Sequence, residues 1–247
     1  AVEMCRRNGR PRAAGMVNAV LRKFVANWMN MPPIPQGSTA EYLSVRYSHP
    51  RWLVERLLEL LPAEEAEQFL QGDNDIVPTT IQTNLLKTDD ESLLQELRQA
   101  GVDIERHGWL PHCFTVSGTG SLERLPAFAE GRFMVQDAAA HLVTVVAGPQ
   151  KGDRVQDVCA APGGKSFAAA IAMEGEGQIL SCDIHPHKLK LIDSGAKRLG
   201  ISCLRTMLAD AREHHAAWDR AADVVIADVP CSGLGIIRKK PDIRYKN

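Results

Sequence analysis

Asp157-Val-Cys-Ala-Ala-Pro-Gly-Gly-Lys-Ser166 decides the fold of this chain. Residues 155–159 are strand-like, residues 160–164 form a turn of small side chains, and residues 167–173 have the composition of a helix. Strand, glycine turn and helix together make a cradle for a nucleotide-like cofactor. Two glycines let the backbone approach a ligand closely, and the first amides of the helix point at a carboxylate or phosphate. Further strands are expected at 178–182, 203–208 and 223–227, with helices around 187–199 and 211–218. Such alternation gives a parallel, doubly wound α/β sheet with crossover helices.

In a sheet of this kind ligands bind at the carboxyl ends of the strands. The second strand ends at Asp183, where an acid would grip ribose hydroxyls; the third runs into Asp210 and the fourth into Asp228. A helix N-cap is the competing role for a lone acid, and Asp210 before Ala211 suits it. The stretch from Cys159 to Ser166 also fits a Walker A loop except at its first position, where Cys159 replaces the glycine that permits the tight phosphate-wrapping turn. Pro162 removes an N–H from a loop that would need to donate them. Both departures disfavour an NTPase, and the absence of a spaced Gly-x-Gly-x-x-Gly disfavours a nicotinamide enzyme. A second motif, Asp228-Val-Pro-Cys-Ser-Gly233, sets Cys231 just past the last strand. On residues alone Cys231 is the candidate nucleophile, with an inert turn thiol as the alternative.

Apolar residues make up 45% of the 247 and charged residues 24%, the balance of an ordinary globular protein. No apolar run is long enough to span a bilayer, and the start lacks the order of a signal peptide. The opening Ala1-Val-Glu-Met-Cys reads as mid-helix, so the chain is expected to be a fragment at both ends. Its six cysteines are scattered without a Cys-x-x-Cys pair, which points to a reducing cytoplasm and against a disulfide framework or a zinc site. His214-His215 lacks a third ligand and is expected to be a solvated helix end. The net charge is −1 but unevenly spread. Arg6, Arg7, Arg10, Arg12, Arg22 and Lys23 face only Glu3, and Arg238, Lys239, Lys240, Arg244 and Lys246 face only Asp242. These clusters are either a phosphate-binding footprint or two solvated segments.

Residues 16–29 carry helical spacing, ended by Pro32, Pro33 and Pro35. A second helix follows Ser48-His49-Pro50, with Trp52, Leu53, Leu57, Leu58 and Leu61 on one face, and a third covers 63–70. The period then changes. Residues 79–85 alternate like a strand, Asp89 or Asp90 caps a helix through Leu93, Leu94 and Leu97, and residues 102–116 read as two strands turning near Gly108. The expected organisation is a helical end and linker over 1–35, a helical and small α+β subdomain over 36–148, and the cofactor domain over 149–247.

The two motifs around Cys159 and Cys231 resemble those of the Sun-type ribosomal RNA cytosine-5 methyltransferases. The resemblance extends through Tyr47-Ser-His-Pro50 with Trp52, Val135-Gln-Asp137 and Gly235-Ile-Ile-Arg238-Lys-Lys-Pro-Asp242-Ile. It implies a Rossmann-like methyltransferase sheet, incomplete at its C-terminal end, preceded by a small RNA-recognition unit and the end of a helical domain related to the antitermination factor NusB. It implies S-adenosylmethionine as cofactor, held by Cys159, Ala160, Ala161, Pro162, Gly163, Gly164, Lys165, Asp183, Asp210 and Asp228. The substrate would be RNA, most of all small-subunit (16S) ribosomal RNA, modified to 5-methylcytosine by a monomeric cytoplasmic enzyme without metal. One departure stands at Gln82, where the family commonly has an arginine two residues before Asn84. The family's nucleophile is a second cysteine in a Thr-Cys motif, expected beyond Asn247, while the Pro-Cys thiol, here Cys231, assists product release. The fragment would then hold the cofactor pocket without its nucleophile and be inactive alone; the alternative is an RNA-binding module that keeps the cofactor fold without catalysis.

Overall fold

The computed structural model describes residues 1–30, 33–34, 37–118 and 120–245. They form two compact units, one of Ala1–Asp75 with Leu234–Asn247 and one of Ile76–Gly233.

The first unit is helical: α1 (Val2–Arg7), α2 (Ala13–Asn27), α3 (Thr39–Tyr47), α4 (Arg51–Leu60) and α5 (Ala63–Gly72), with 3-10 turns at Trp28–Asn30, Leu234–Ile236 and Pro241–Tyr245. Pro32 and Pro35, expected to end the first long helix, lie outside the described residues. Helix α3 goes beyond the sequence expectation; Ser38 caps it by accepting from the Glu41 amide at 3.3 Å. Ala40 and Leu43 of α3 pack with Val54 and Leu70. The buried residues of α4 are Leu53 and Val54, whereas Trp52 is 57% exposed, so the expected face is rotated away from the indole.

Arg244 corrects the charge analysis, because it is buried rather than part of an exposed basic cluster. Its Nη1 donates to the Ser48 carbonyl at 3.1 Å and its Nη2 to the Asp73 carbonyl at 2.9 Å. Ser48 and Asp73 are the C-caps of α3 and α5, so one guanidinium serves carbonyls that have no helical partner. His49 lies beside it, with Nδ1 2.7 Å from the Tyr47 carbonyl; burial, followed by the Arg244 charge, holds its pKa below the ordinary value.

The second unit contains two sheets. Strands β1 (Thr79–Thr83), β2 (Asp103–Arg106), β3 (Cys113–Ser117) and β4 (Phe133–Val135) run antiparallel in the order β2-β3-β1-β4. Helices α6 (Asp90–Gln99) and α7 (Pro126–Ala129) complete a βαββαβ unit. Asp89 is the cap of α6, accepting from the Ser92 amide at 2.9 Å. Ile81, Leu93, Leu97, Phe114 and Phe133 fill the core of this unit. Helix α8 (Ala138–Ala147) then leads to β5 (Arg154–Asp157), α9 (Gly164–Ala172), β6 (Gln178–Asp183), α10 (Pro186–Leu199), β7 (Leu204–Leu208) and β8 (Val224–Ile226). These last strands are parallel, in the order β7-β6-β5-β8. The chain moves outward from β5 to β7 and returns on the other side of β5, which puts the topological switch point between β5 and β8.

The helix expected over 211–218 is absent; only Ala216–Trp218 forms a 3-10 turn. The Asp210 carboxylate accepts from the Arg212 amide at 3.0 Å and from its guanidinium, a local turn that competes with helix initiation. The His215 ring packs on Trp218 with centroids 4.0 Å apart, and His214 lies 3.0 Å from Asp219. The two histidines are therefore not a helix end.

The two sheets are joined by a polar seam at the C-terminus of α10. Gly200 in the left-handed region closes the Ala196 and Lys197 carbonyls. The Leu199 carbonyl accepts from buried Asn84 Nδ2 at 2.9 Å, and the Arg198 carbonyl from Lys87 Nζ at 2.8 Å. Asn84 also donates to Gly131 O at 2.7 Å. Gly131 sits at φ +73°, and a Cβ there would be 2.0 Å from the Arg198 carbonyl oxygen, so only glycine permits the approach. Asn84→Ala leaves two buried carbonyls unpaired and is expected to lower stability by about 2–4 kcal/mol. Urea denaturation checks this; a loss below about 0.5 kcal/mol would mean that the seam does not hold the sheets together.

Candidate functional site

β5 delivers Asp157 to the floor of the switch point, where its side chain is buried. Asp157 Oδ2 accepts from the Ser166 hydroxyl at 2.8 Å, and Ser166 Oγ accepts from the Ser181 hydroxyl at 2.8 Å. This chain of bonds ties β5, α9 and β6 together below the loop. Burial raises the Asp157 pKa, and the Ser166 hydrogen bond opposes it.

Above this floor runs the loop Cys159-Ala-Ala-Pro-Gly-Gly-Lys165. The Ala160 amide donates to the Cys182 carbonyl at 2.7 Å, which pins the loop to the end of β6. Gly163 adopts φ +109°, and a Cβ there would lie 2.4 Å from the Phe167 ring. Lys165, in the first turn of α9, reaches across to Asp228 Oδ2 at 2.5 Å and so links that helix to the end of β8.

The three strand-end acids occupy different settings. Asp183 is buried, accepting from the His185 amide at 3.0 Å with Lys188 Nζ at 3.7 Å. Asp210 is gripped by Arg212, whose guanidinium and amide hydrogen bonds depress its carboxyl to about 2. Asp228 is largely exposed apart from its ion pair. Burial first, then the carboxylates of Asp157, Asp183, Asp228 and Asp210, raise the pKa of the Cys159 thiol above its ordinary value. The structure therefore brings four carboxylates into electrostatic reach of one loop. Three of the four stand beside a basic side chain: Asp228 by Lys165, Asp183 by Lys188 and Asp210 by Arg212. Cys159 itself stays protonated and is unsuited to nucleophilic attack.

Cys231 is exposed on the segment that follows β8. Among the described residues no group of three His, Cys, Asp or Glu side chains stands close enough to hold a metal ion, and no helix is long and apolar enough to cross a membrane.

Ser166 and Gln136 stand in stretches already quoted, but their contacts could not be read from the sequence. The Ser166–Ser181 pair carries no motif signal, because Ser181 looks like any polar residue in a strand. Gln136, just past β4, is buried with neither side-chain amide atom hydrogen-bonded among the described residues, and its Nε2 would stand 3.6 Å from a Cβ built at Gly164. Its neighbour Asp137 caps α8 through the Ala139 amide at 3.0 Å.

Comparison with known proteins places this geometry. Residues 144–247 match the family model described as 16S rRNA methyltransferase RsmB/F, and residues 49–123 match the ferredoxin-like domain of RsmF/B-like methyltransferases. A protein named probable ribosomal RNA small subunit methyltransferase B from Bacillus subtilis (strain 168) is 32% identical over 99% of this chain and 55% of its own length. The crystal structure of PH0851 superimposes with a TM-score of 0.84 and 29% identity, covering 99% of this chain and 54% of that one. The structure of NSun6 from Pyrococcus horikoshii with SFG shares the fold at a TM-score of 0.68 and 21% identity, covering 75% of this chain and 71% of that one. The chain spans about half the length of the relative from Bacillus, at 55%. The chain belongs to the Sun-type ribosomal RNA methyltransferase family.

Proposed function

We propose that this chain carries the cofactor-binding part of an S-adenosylmethionine-dependent enzyme that forms 5-methylcytosine in small-subunit ribosomal RNA. The observation that carries the proposal is the grouping of Asp157, Asp183, Asp210 and Asp228 around the loop that begins at Cys159, at the switch point of a doubly wound sheet. That donor set fits S-adenosylmethionine: buried Asp183 can accept from ribose hydroxyls, and the loop from Cys159 to Lys165 admits close backbone contact. When bound, the cofactor supplies an electrophilic methyl group.

The chain's own residues hold that site in shape. The Lys165–Asp228 pair fixes the entrance to α9 against the end of β8. The bonds from Asp157 through Ser166 to Ser181 keep the floor from shifting. Cytosine C5 is a weak nucleophile until a thiolate adds at C6, and loss of the C5 proton after methylation expels the thiol. A free cysteine has a pKa of about 8.5, so the attacking thiol must be activated where it acts. We assign the attack to a second cysteine of the full-length protein and the release step to Cys231. The basic side chains of the helical unit, with Arg244 removed from the set, are assigned to RNA phosphates. The enzyme is expected to work in the cytoplasm as a monomer.

Three expected outcomes test these assignments. Asp183→Ala removes acceptors for the ribose and should weaken S-adenosylmethionine binding by about 1.5–3 kcal/mol in calorimetry; unchanged affinity takes Asp183 out of the site. In the full-length enzyme Cys231→Ala should permit methyl transfer but block release, so that a covalent protein–RNA adduct survives denaturing electrophoresis. Loss of the adduct would make Cys231 the nucleophile instead, and normal turnover would make it a bystander. Charge reversal at Arg10, Arg12, Arg22 and Lys240 should flatten the dependence of RNA affinity on salt, by about one unit of log–log slope per lost phosphate contact. An unaltered slope means that these groups are merely solvated.

A further inference from the structure

A groove of about 780 Å³ runs between β4 of the antiparallel sheet and helix α10. It meets the cofactor loop at Pro162 and Gly164, and none of Asp157, Asp183, Asp210 and Asp228 lines it. Leu191, Gly195 and Arg198 follow one another at helical spacing on α10, so the groove extends along one helix face for about 10 Å. Its wall includes large apolar side chains left open to solvent, Val135 at 49% exposure and Leu191 at 55%. The ionisable side chains of the lining are Glu123 and Arg198.

Arg198 is the group that calls for a partner. Its Nη1 donates to the Phe128 carbonyl at 2.8 Å and to the Phe133 carbonyl at 3.1 Å, and its guanidinium lies 3.9 Å from the Phe128 ring centroid. These contacts fix the planar fork and leave the Nε and Nη2 donors without a bond among the described residues, and neither atom is sealed from solvent. Among the described residues no carboxylate pairs with this charge, and burial alone lowers its pKa. A half-buried, pre-oriented guanidinium with donors to spare suits an oxyanion, and a phosphate best matches its fork. Glu123 sets a second condition. It is exposed and accepts from the Ser121 hydroxyl at 3.4 Å, so it disfavours a bare anion and favours a ligand that also brings hydroxyl or amino donors. A nucleotide unites a phosphate, such donors and a flat apolar base face.

We propose that this groove takes one nucleotide of RNA, with its phosphate on the Arg198 guanidinium and its sugar and base along α10 toward Pro162. The strand is thereby led from the end of α10 to the cofactor loop. A free nucleoside monophosphate offers the same chemistry. The RNA source rests on the function proposed above, whereas the free-nucleotide source does not.

The test uses the full-length protein with saturating S-adenosylhomocysteine, so that the cofactor pocket is blocked. The probe is single-stranded RNA of small-subunit ribosomal sequence, made with one neutral methylphosphonate linkage at a time. One such linkage should weaken binding to the unsubstituted protein about tenfold, and Arg198→Met should abolish that difference while weakening binding of the unmodified RNA by about the same factor. A merely structural Arg198 would weaken every RNA alike and leave the difference in place. Because Arg198 also ties two carbonyls, Leu191→Glu on the exposed face of α10 is the second variant. It should lower RNA affinity about tenfold, with the thermal unfolding midpoint and the affinity for S-adenosylhomocysteine unchanged. Nucleoside 5′-monophosphates titrated by calorimetry separate the sources. Saturable binding that Arg198→Met removes supports the free ligand, and no such binding beside a coupled linkage supports RNA. A linkage scan unaltered by Arg198→Met, with normal RNA binding by Leu191→Glu, overturns the proposal and leaves the proposed function standing. If the unsubstituted protein binds no RNA, the proposed function fails instead, and the monophosphate titration decides the groove: binding lost in Arg198→Met upholds it, and no binding overturns it.

Discussion

The carbonyl end of α10 is the constraint on which the second unit depends. A helix leaves its last four carbonyls without helical partners, and burying them unpaired is costly. Here the turn at Gly200 closes two of them, and Asn84 and Lys87 from the antiparallel βαββαβ sheet supply the others. The small sheet is thus attached by hydrogen-bonding demand as well as by apolar contact. Arg198 reinforces the join from the opposite side, donating to the Phe128 carbonyl at 2.8 Å with its guanidinium 3.9 Å from the Phe128 ring centroid. The helical unit uses the same device independently, with Arg244 serving the ends of α3 and α5.

Because α10 follows β6, whatever holds the helix also holds the strand end that carries Asp183. The site then inherits its precision from neighbours that never touch a ligand. Its electrostatics depend on the same rigidity. Four carboxylates beside one loop repel one another, and they persist together because each has a local counterweight. Asp157 has Ser166, Asp183 has a backbone amide, Asp210 has Arg212 and Asp228 has Lys165.

The parallel sheet was legible because each strand ends in an acid or a glycine turn, and the small sheet because its hydrophobic period changes at Thr79. The failures have physical causes. A helix over residues 211–218 looks sound by composition, yet Asp210 and Arg212 form a turn whose local hydrogen bonds win. Trp52 counts as apolar in any periodicity, but the packing of α4 selects Val54 instead. Arg244 is indistinguishable in sequence from the basic residues near it, since the carbonyls it serves lie far away along the chain. Ser166 and Gln136 both sit in recognisable stretches, but neither the Ser166–Ser181 bond nor the burial of the Gln136 side chain is written in a local pattern.

Phe167 links three positions that a sequence presents as unrelated. Its ring fills the space where a Cβ on Gly163 would sit at 2.4 Å and one on Gly195 at 2.6 Å. The ring is a shim between the loop before α9 and the middle of α10. Drift at any one of these positions is closed while the other two stand: a methyl group at residue 195 would drive the ring toward residue 163, and a smaller side chain at 167 would leave the loop unsupported. The three residues can change only as a set, so divergence within this family should record them as a correlated triplet rather than as three invariant sites.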